Sequence, residues 1–221
     1  MDSSNGNEPQ ISSSFRSERT VNDKFQRLVE RVQSCHQCPR MEGRTHVLST
    51  RNGPLHAELL FIAEAPGRLG AEQSGIPLTG DQTGRNFDAL LGAAGIDRQS
   101  IFITNAVLCN PQNKQGLNAS PTSSEISNCS NYLHETIQLL QPRYVVTLGQ
   151  VALRALHSIE THTLTLAQHT GIPVVWYNRW LIALYHPGPR ARIYRSAQLQ
   201  IEDFQRLGNF IKHNRLNRTI V

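Results

Sequence analysis

The residues with the most specific chemistry are the four cysteines: Cys35 and Cys38 as C-x-x-C in SCHQCPR, then Cys109, then Cys129 after nineteen intervening residues. Four thiolates in a paired-plus-two pattern suit a four-cysteine metal centre, either tetrahedral zinc or an iron–sulfur cluster, and spacing alone does not choose between them. The competing use, free cysteines buried as small hydrophobes, fits poorly with the polar setting of CHQCPR. A second set of reactive side chains consists of Glu64 in EAPG, Asp81 in TGD, Asn105 in TNAVLCN and His186 in YHPG. Carboxylates and imidazoles move protons and position water, while an amide offers one donor and one acceptor to a flat polar edge. Asp81 equally suits the N-terminal end of the helix that TGRNF begins, where negative charge is favoured. Three arginines, Arg190, Arg192 and Arg195, follow His186 in PGPRARIYR and provide cationic partners for phosphate.

The elements that must position these residues can be read from hydrophobic spacing. The chain has 221 residues, 38% of them hydrophobic and 18% charged, which fits one well-cored soluble domain. No apolar run approaches the ~20 residues of a membrane span. The N-terminus has no secretory pattern, so a reducing cytoplasm and a monomer are expected. With 22 Lys+Arg against 17 Asp+Glu the chain carries a formal charge of +5, which favours polyanionic partners.

Residues 1–20 are too poor in apolar side chains to offset ordering entropy and read as a disordered tail, with a single domain over 21–215 and a short tail at 216–221. Phe25, Leu28, Val29 and Val32 mark a helix from Asn22 that leads into the first cysteine pair. Strands are expected at 59–63 and 101–108, the second ending against Cys109, and further strands in RYVVTLG, IPVVWY and RWLIALY. Helices are expected from Thr83, over about 122–140, in QVALRALHSI and over about 196–213. Such alternation predicts an α/β three-layer sandwich, a mostly parallel central sheet covered by helices on both faces. In folds of that kind the ligand crevice opens beyond the C-terminal ends of the strands. Glu64, Asn105 and His186 all fall at such ends.

The segments AEAPGRLGAEQSGIPLTGDQTGRNFDALL, ITNAVLCNPQNK and YHPG, in that order and framed by the four cysteines, resemble the iron–sulfur members of the uracil-DNA glycosylase superfamily over roughly residues 30–210. EAPG is similar to the family-four form and TGDQTG to the family-five form. The resemblance implies the uracil-DNA glycosylase-like fold, a 4Fe–4S cluster on Cys35, Cys38, Cys109 and Cys129 with zinc as the alternative, and removal of uracil or another deaminated base from DNA. Hydrolysis of a base–deoxyribose bond passes through a cationic sugar while negative charge gathers on the base. Glu64 and Asp81 are then the candidates to handle water and positive charge, with Glu72 as a third acid. By the same resemblance Asn105 reads the base edge, His186 donates to the charged oxygen, and Leu78, Ala65, Pro66 and Gly67 line the base.

The chain departs from that pattern at three places. Leu78 stands where the family carries a stacking phenylalanine, Gly188 where it carries a serine after His-Pro, and Ala63 where it carries a glycine. Arg190, Arg192 and Arg195 are expected to contact DNA phosphates or the space left by a flipped base. No lysine is placed for Schiff-base chemistry, so strand cleavage is not expected. The competing reading is a DNA- or damaged-base-binding module with a structural four-cysteine centre and little turnover. A flavodoxin-like nucleotide binder would need a Gly-rich phosphate loop opening a helix, which the sequence lacks.

Overall fold

A computed structural model describes residues 13–216. In chain order the elements are α1 (Ser13–Gln33), β1 (Leu59–Ala63), α2 (Ala71–Ser74), α3 (Gln82–Ala94), β2 (Ile101–Asn105), α4 (Ser123–Leu140), β3 (Tyr144–Leu148), α5 (Gln150–Ala155), α6 (Leu166–His169), β4 (Val174–Trp176), β5 (Arg179–Leu184) and α7 (Ala197–Leu216). Short 3-10 turns fill several connections. The five strands form one sheet in the order β2-β1-β3-β5-β4, parallel except for the edge strand β4. Runs such as LLFIA and YVVTL are buried at every position because helices cover both faces.

Alternation within each strand divides its side chains between two cores. Leu60, Ile62, Phe102, Val145 and Leu181 face α1, α4 and α5, while Phe61, Ile103, Val146 and Ile182 face α3 and α7. Phe25 of α1 meets Phe102 edge-on with ring centroids 5.8 Å apart, and Phe61, Phe87 and Phe204 form the matching aromatic cluster on the other face. Aromatic pairs of this geometry add to what burial of their area contributes.

The parallel register brings the strand ends to one level. Ala63 pairs with Asn105, and Leu148 with Leu184. Glu64, Asn105 and His186 therefore emerge along one edge of the sheet.

Two expectations change. The first helix begins at Ser13, so residues 13–20, expected in the tail, belong to its first turns; residues 1–12 and 217–221 lie outside the described residues. The second strand ends at Asn105 and not at residue 108. Its neighbour β1 stops at Ala63, and beyond that point Ala106 and Val107 hydrogen-bond only to the carbonyls of Ala63 and Glu64 as the chain bends away. Cys109 thus sits four residues past the strand, facing α4. Among the described residues no helix is long and apolar enough to cross a membrane.

Candidate active site and a four-cysteine cavity

Beyond the strand ends lies a pocket of about 510 Å³ whose walls include Glu64, Ala65, Pro66, Gly67, Leu78, Asp81, Asn105, His186 and Arg190. Glu64 enters it from the end of β1. Burial holds its carboxyl above the ordinary carboxylate range, opposed by a hydrogen bond from the Ser120 side chain and by the charge of Arg154. Asp81 is the N-cap of α3: its Oδ1 accepts from the Gly84 N–H at 2.9 Å. Its Oδ2 lies against Gly67 and Gly70, where an added Cβ would approach it to 2.9 and 3.0 Å. The two uses weighed for Asp81 coexist, one oxygen capping the helix while the side chain lines the pocket.

Asn105 is only 2% exposed, and its Nδ2 has no hydrogen-bond partner among the described residues. A buried donor left without a partner costs about 1–3 kcal/mol, so an amide in that state at a pocket wall is suited to a ligand carbonyl. His186 has its protonation pattern set by the backbone. The Gly188 N–H donates to His186 Nδ1 at 3.0 Å, so in the neutral ring the proton sits on Nε2. Enclosure pushes the imidazole pKa down to about 4, against the opposing charge of Asp81. At neutral pH the ring is therefore an uncharged N–H donor. A Cβ at position 188 would lie 2.8 Å from Nδ1, so the glycine allows this close approach. The carbonyl of Pro187 accepts from Asn86 Nδ2 at 2.8 Å, which fastens the His-Pro-Gly turn to α3.

Leu78 has a positive φ of 49°, unusual for a residue with a branched side chain. Arg98 spans this turn: its Nη2 donates to the carbonyls of Pro77 and Leu78 and to the Thr79 hydroxyl, at 2.7, 3.1 and 2.8 Å. Asn110 crosses the other side of the pocket. It is buried, accepts from Gln112 at 2.7 Å and donates to the Pro66 carbonyl and to Asn118.

The cysteines occupy a different part of the molecule. Cys35, Cys38, Cys109 and Cys129 line one cavity of about 120 Å³, brought together from the end of α1, the bend after β2 and the second turn of α4. None is in a disulfide. Burial pushes the thiols of Cys109 and Cys129 up to about 12 and about 11, with the neighbouring cysteines adding to the shift. Among the described residues no three His, Cys, Asp or Glu side chains converge on a single ion position. Two donors reach the sulfurs: Asn128 Nδ2 donates to Cys38 Sγ at 3.4 Å, and the Tyr132 side chain hydrogen-bonds Cys35; Arg44 also lines the cavity, its buried Nε without a partner among the described residues.

Comparison with known sequences bears on both sites. The model of the Uracil DNA glycosylase superfamily matches residues 50–208. The chain belongs to this superfamily. Relatives named type-4 uracil-DNA glycosylase include one from Archaeoglobus fulgidus, 30% identical over 82% of this chain and 90% of its own length, and one from Thermotoga maritima, 30% identical over 84% and 93%. A type-5 uracil-DNA glycosylase from Pyrobaculum aerophilum is 31% identical over 73% of this chain and 81% of its own length. Relatives of both types match, in keeping with the mixed EAPG and TGDQTG pattern.

In this member of the uracil-DNA glycosylase superfamily the pocket gathers Glu64, Ala65, Pro66, Gly67, Leu78, Asp81, Asn105, His186 and Arg190. Three expected residues are not there. Glu72 sits on α2, where its carboxylate accepts from the Thr45 N–H at 3.3 Å and adds negative charge near Cys109. Arg195 is committed to Asp203, which is 2% exposed at its side chain, through bonds of 2.8 and 2.6 Å. It anchors the start of α7 and does not reach the pocket. Arg192 is exposed on the turn after His186 and lines no part of the pocket. Sequence reading missed Ser120, Asn110, Asn86 and Arg98. Asn110 was within reach, since it follows Cys109 in a run of amides; the other three are distant in sequence from the residues they hold.

Proposed function

We propose that the chain is a monofunctional DNA glycosylase that flips uracil out of DNA and hydrolyses its bond to deoxyribose, initiating base excision repair. The observation that carries this reading is the pairing of two uncharged, outward-directed donors in one pocket: the partnerless Nδ2 of buried Asn105 and the Nε2–H of neutral His186. Uracil offers carbonyl oxygens to both. Asn105 hydrogen-bonds the base edge, with Leu78 and the 65–67 backbone segment packed around the ring. As the glycosidic bond breaks, its electron pair passes to the base, and the His186 Nε2–H stabilises the charge on the carbonyl oxygen. A neutral donor is suited to this because it keeps its proton through the step. Glu64 orients the attacking water and takes its proton, while Asp81 offers negative charge to the cationic sugar. Arg190, at the pocket wall, serves the adjoining phosphate.

Cys35, Cys38, Cys109 and Cys129 fit a 4Fe–4S cluster better than zinc. All four line one cavity, and the donors from Asn128 and Tyr132 to Cys38 and Cys35 suit a cluster of thiolates and sulfides with net negative charge. When bound, the cluster would supply a structural tie among α1, the bend after β2 and α4; the hydrolytic residues lie in the other pocket.

The test is single-turnover release of base from oligonucleotides containing one uracil opposite guanine, opposite adenine or unpaired. His186→Ala is expected to slow release by about 10²–10³-fold, the usual cost of one such donor, and Glu64→Gln by a similar factor. Asp81→Asn is informative because Asn caps helices as well as Asp does, so its effect reports chemistry and not loss of α3. Tight binding without release from any of these oligonucleotides would replace the enzyme reading with a binding module.

A further inference from the structure

Beside the main pocket is a second recess of about 310 Å³, separated from it by a wall that both share through Asp81, Thr83, Asn118 and Arg190. Its rim carries two of the large exposed apolar side chains of the molecule, Leu69 at 56% and Leu117 at 50% exposure. They come from different loops. Leu69 follows the 64–67 segment, and Leu117 lies on a tight hairpin closed by an antiparallel bridge between Gln112 and Asn118. The hairpin is braced internally, since Asn113 Oδ1 accepts from the N–H groups of Gln115 and Leu117 at 3.0 and 2.9 Å. Asn118 Oδ1 then accepts from the Arg68 N–H at 2.9 Å, so the two loops are held to each other with their leucines outward.

Cations outnumber acids at this recess, with Arg68 and Arg190 against Asp81. Six arginines of the described chain, Arg31, Arg40, Arg98, Arg195, Arg206 and Arg215, are paired with carboxylates. The Arg68 and Arg190 side chains, both lining the recess, have no ion-pair partner among the described residues. Two of the uncharged polar side chains in its wall, Gln82 and Asn118, are engaged at least in part. Gln82 donates to Asn86 and accepts from Arg85, and Asn118 Oδ1 holds Arg68 and Asn110. The recess thus has apolar surface for a ring and cations for phosphate, with few free groups to read a base edge.

We propose that this recess seats the nucleotide adjacent to the flipped one on the same strand, its base against Leu69 and Leu117 and its phosphates against Arg68 and Arg190. This rests on the glycosylase reading above. A nucleotide whose base occupies the main pocket leaves its sugar and phosphates at the mouth, and the next residue of that strand lies one phosphate away, across the shared wall. Packing on leucine accepts any base, because every base has an apolar face. The subsite therefore adds affinity for the strand without sequence preference, and it compensates for the missing aromatic at Leu78.

The experiment uses single-stranded oligonucleotides with one deoxyuridine and a tetrahydrofuran residue, lacking a base, at either neighbouring position. For the unmodified protein, removal of the base on one side raises the half-saturating concentration in single-turnover release by about tenfold, while removal on the other side does not. The Leu69→Ala/Leu117→Ala variant shows the same rise with the intact oligonucleotide, keeps its maximal rate, and no longer responds to the missing base. Indifference to both missing bases, or losses from variant and missing base that multiply, overturns the subsite. The same oligonucleotides with 2′-fluoro-2′-deoxyuridine report binding without cleavage. Flank-dependent binding with no uracil release anywhere sinks the enzyme reading and leaves the subsite standing; release without flank dependence does the reverse.

Discussion

His186 shows how one backbone contact can determine the chemistry of a side chain. Donation from Gly188 to Nδ1 leaves Nε2 as the proton carrier, and enclosure lowers the pKa to about 4. Two pH effects follow, in different windows. For catalysis, His186 is neutral throughout the range above about 4, so the excision rate shows no step near the ordinary histidine value of about 6.5. With Glu64 as the proposed base, the acid limb is expected to follow its carboxyl, whose pKa burial raises. A rate profile with its acid limb missing in Glu64→Gln is the expected result. For stability, the unfolded chain binds a proton on this histidine as pH falls from about 6.5 while the folded chain resists until about 4. Folding stability contributed at position 186 therefore declines across that window, and His186→Gln flattens the decline in urea unfolding compared at its two ends.

At the scale of elements, the turns and helix ends carry the site. Arg98, just before β2, holds the 77–79 turn through three hydrogen bonds and so keeps Leu78 in its left-handed conformation. An Arg98→Met substitution should cost about 1–3 kcal/mol of stability, as for hydrogen bonds from a charged donor. It should also raise KM for the uracil oligonucleotide more than it lowers kcat, because it loosens a wall and leaves the reacting groups in place. The start of α4 is a capping box: Thr122 accepts from the Glu125 N–H, and Glu125 accepts from Thr122 N–H while also pairing with Arg40. Thr122→Ala should cost about 1 kcal/mol. Since α4 brings Cys129 to the other cysteines, with the proposed cluster bound the same substitution is expected to speed iron loss to a chelator, read by the decay of visible absorbance.

For the whole molecule, the four cysteines join the end of α1, the bend after β2 and α4, segments that also share one hydrophobic core and the Arg31–Glu135 and Arg40–Glu125 ion pairs. With the cluster bound as proposed, Cys129→Ser is expected to lower iron content and the unfolding temperature together, while Arg192→Ala, on an exposed turn that lines no part of the cavity, changes neither. The sheet itself was legible in the sequence because fully buried strands such as LLFIA and YVVTL leave continuous apolar runs, and helices leave a 3.6-residue stripe. Residues at strand ends could be nominated on the same grounds, since the open end of a parallel sheet collects ligand-facing groups. By itself, then, the sequence determined the α/β architecture and the set of four cysteines, and it nominated Glu64, Asp81, Asn105 and His186, which the fold brings to one pocket. It could not specify where β2 ends, because that depends on β1 ceasing to offer partners at Ala63. Nor could it separate Arg190 from Arg195: the two are five residues apart, and only packing brings Asp203 to one and leaves the other at the pocket. Ser120 beside Glu64, Asn86 beneath Pro187 and Arg98 around Leu78 belong to the tertiary structure for the same reason. Local chain preference acts over a few residues, whereas these hydrogen bonds link groups about 20 to 100 positions apart and exist only once the sheet has aligned them.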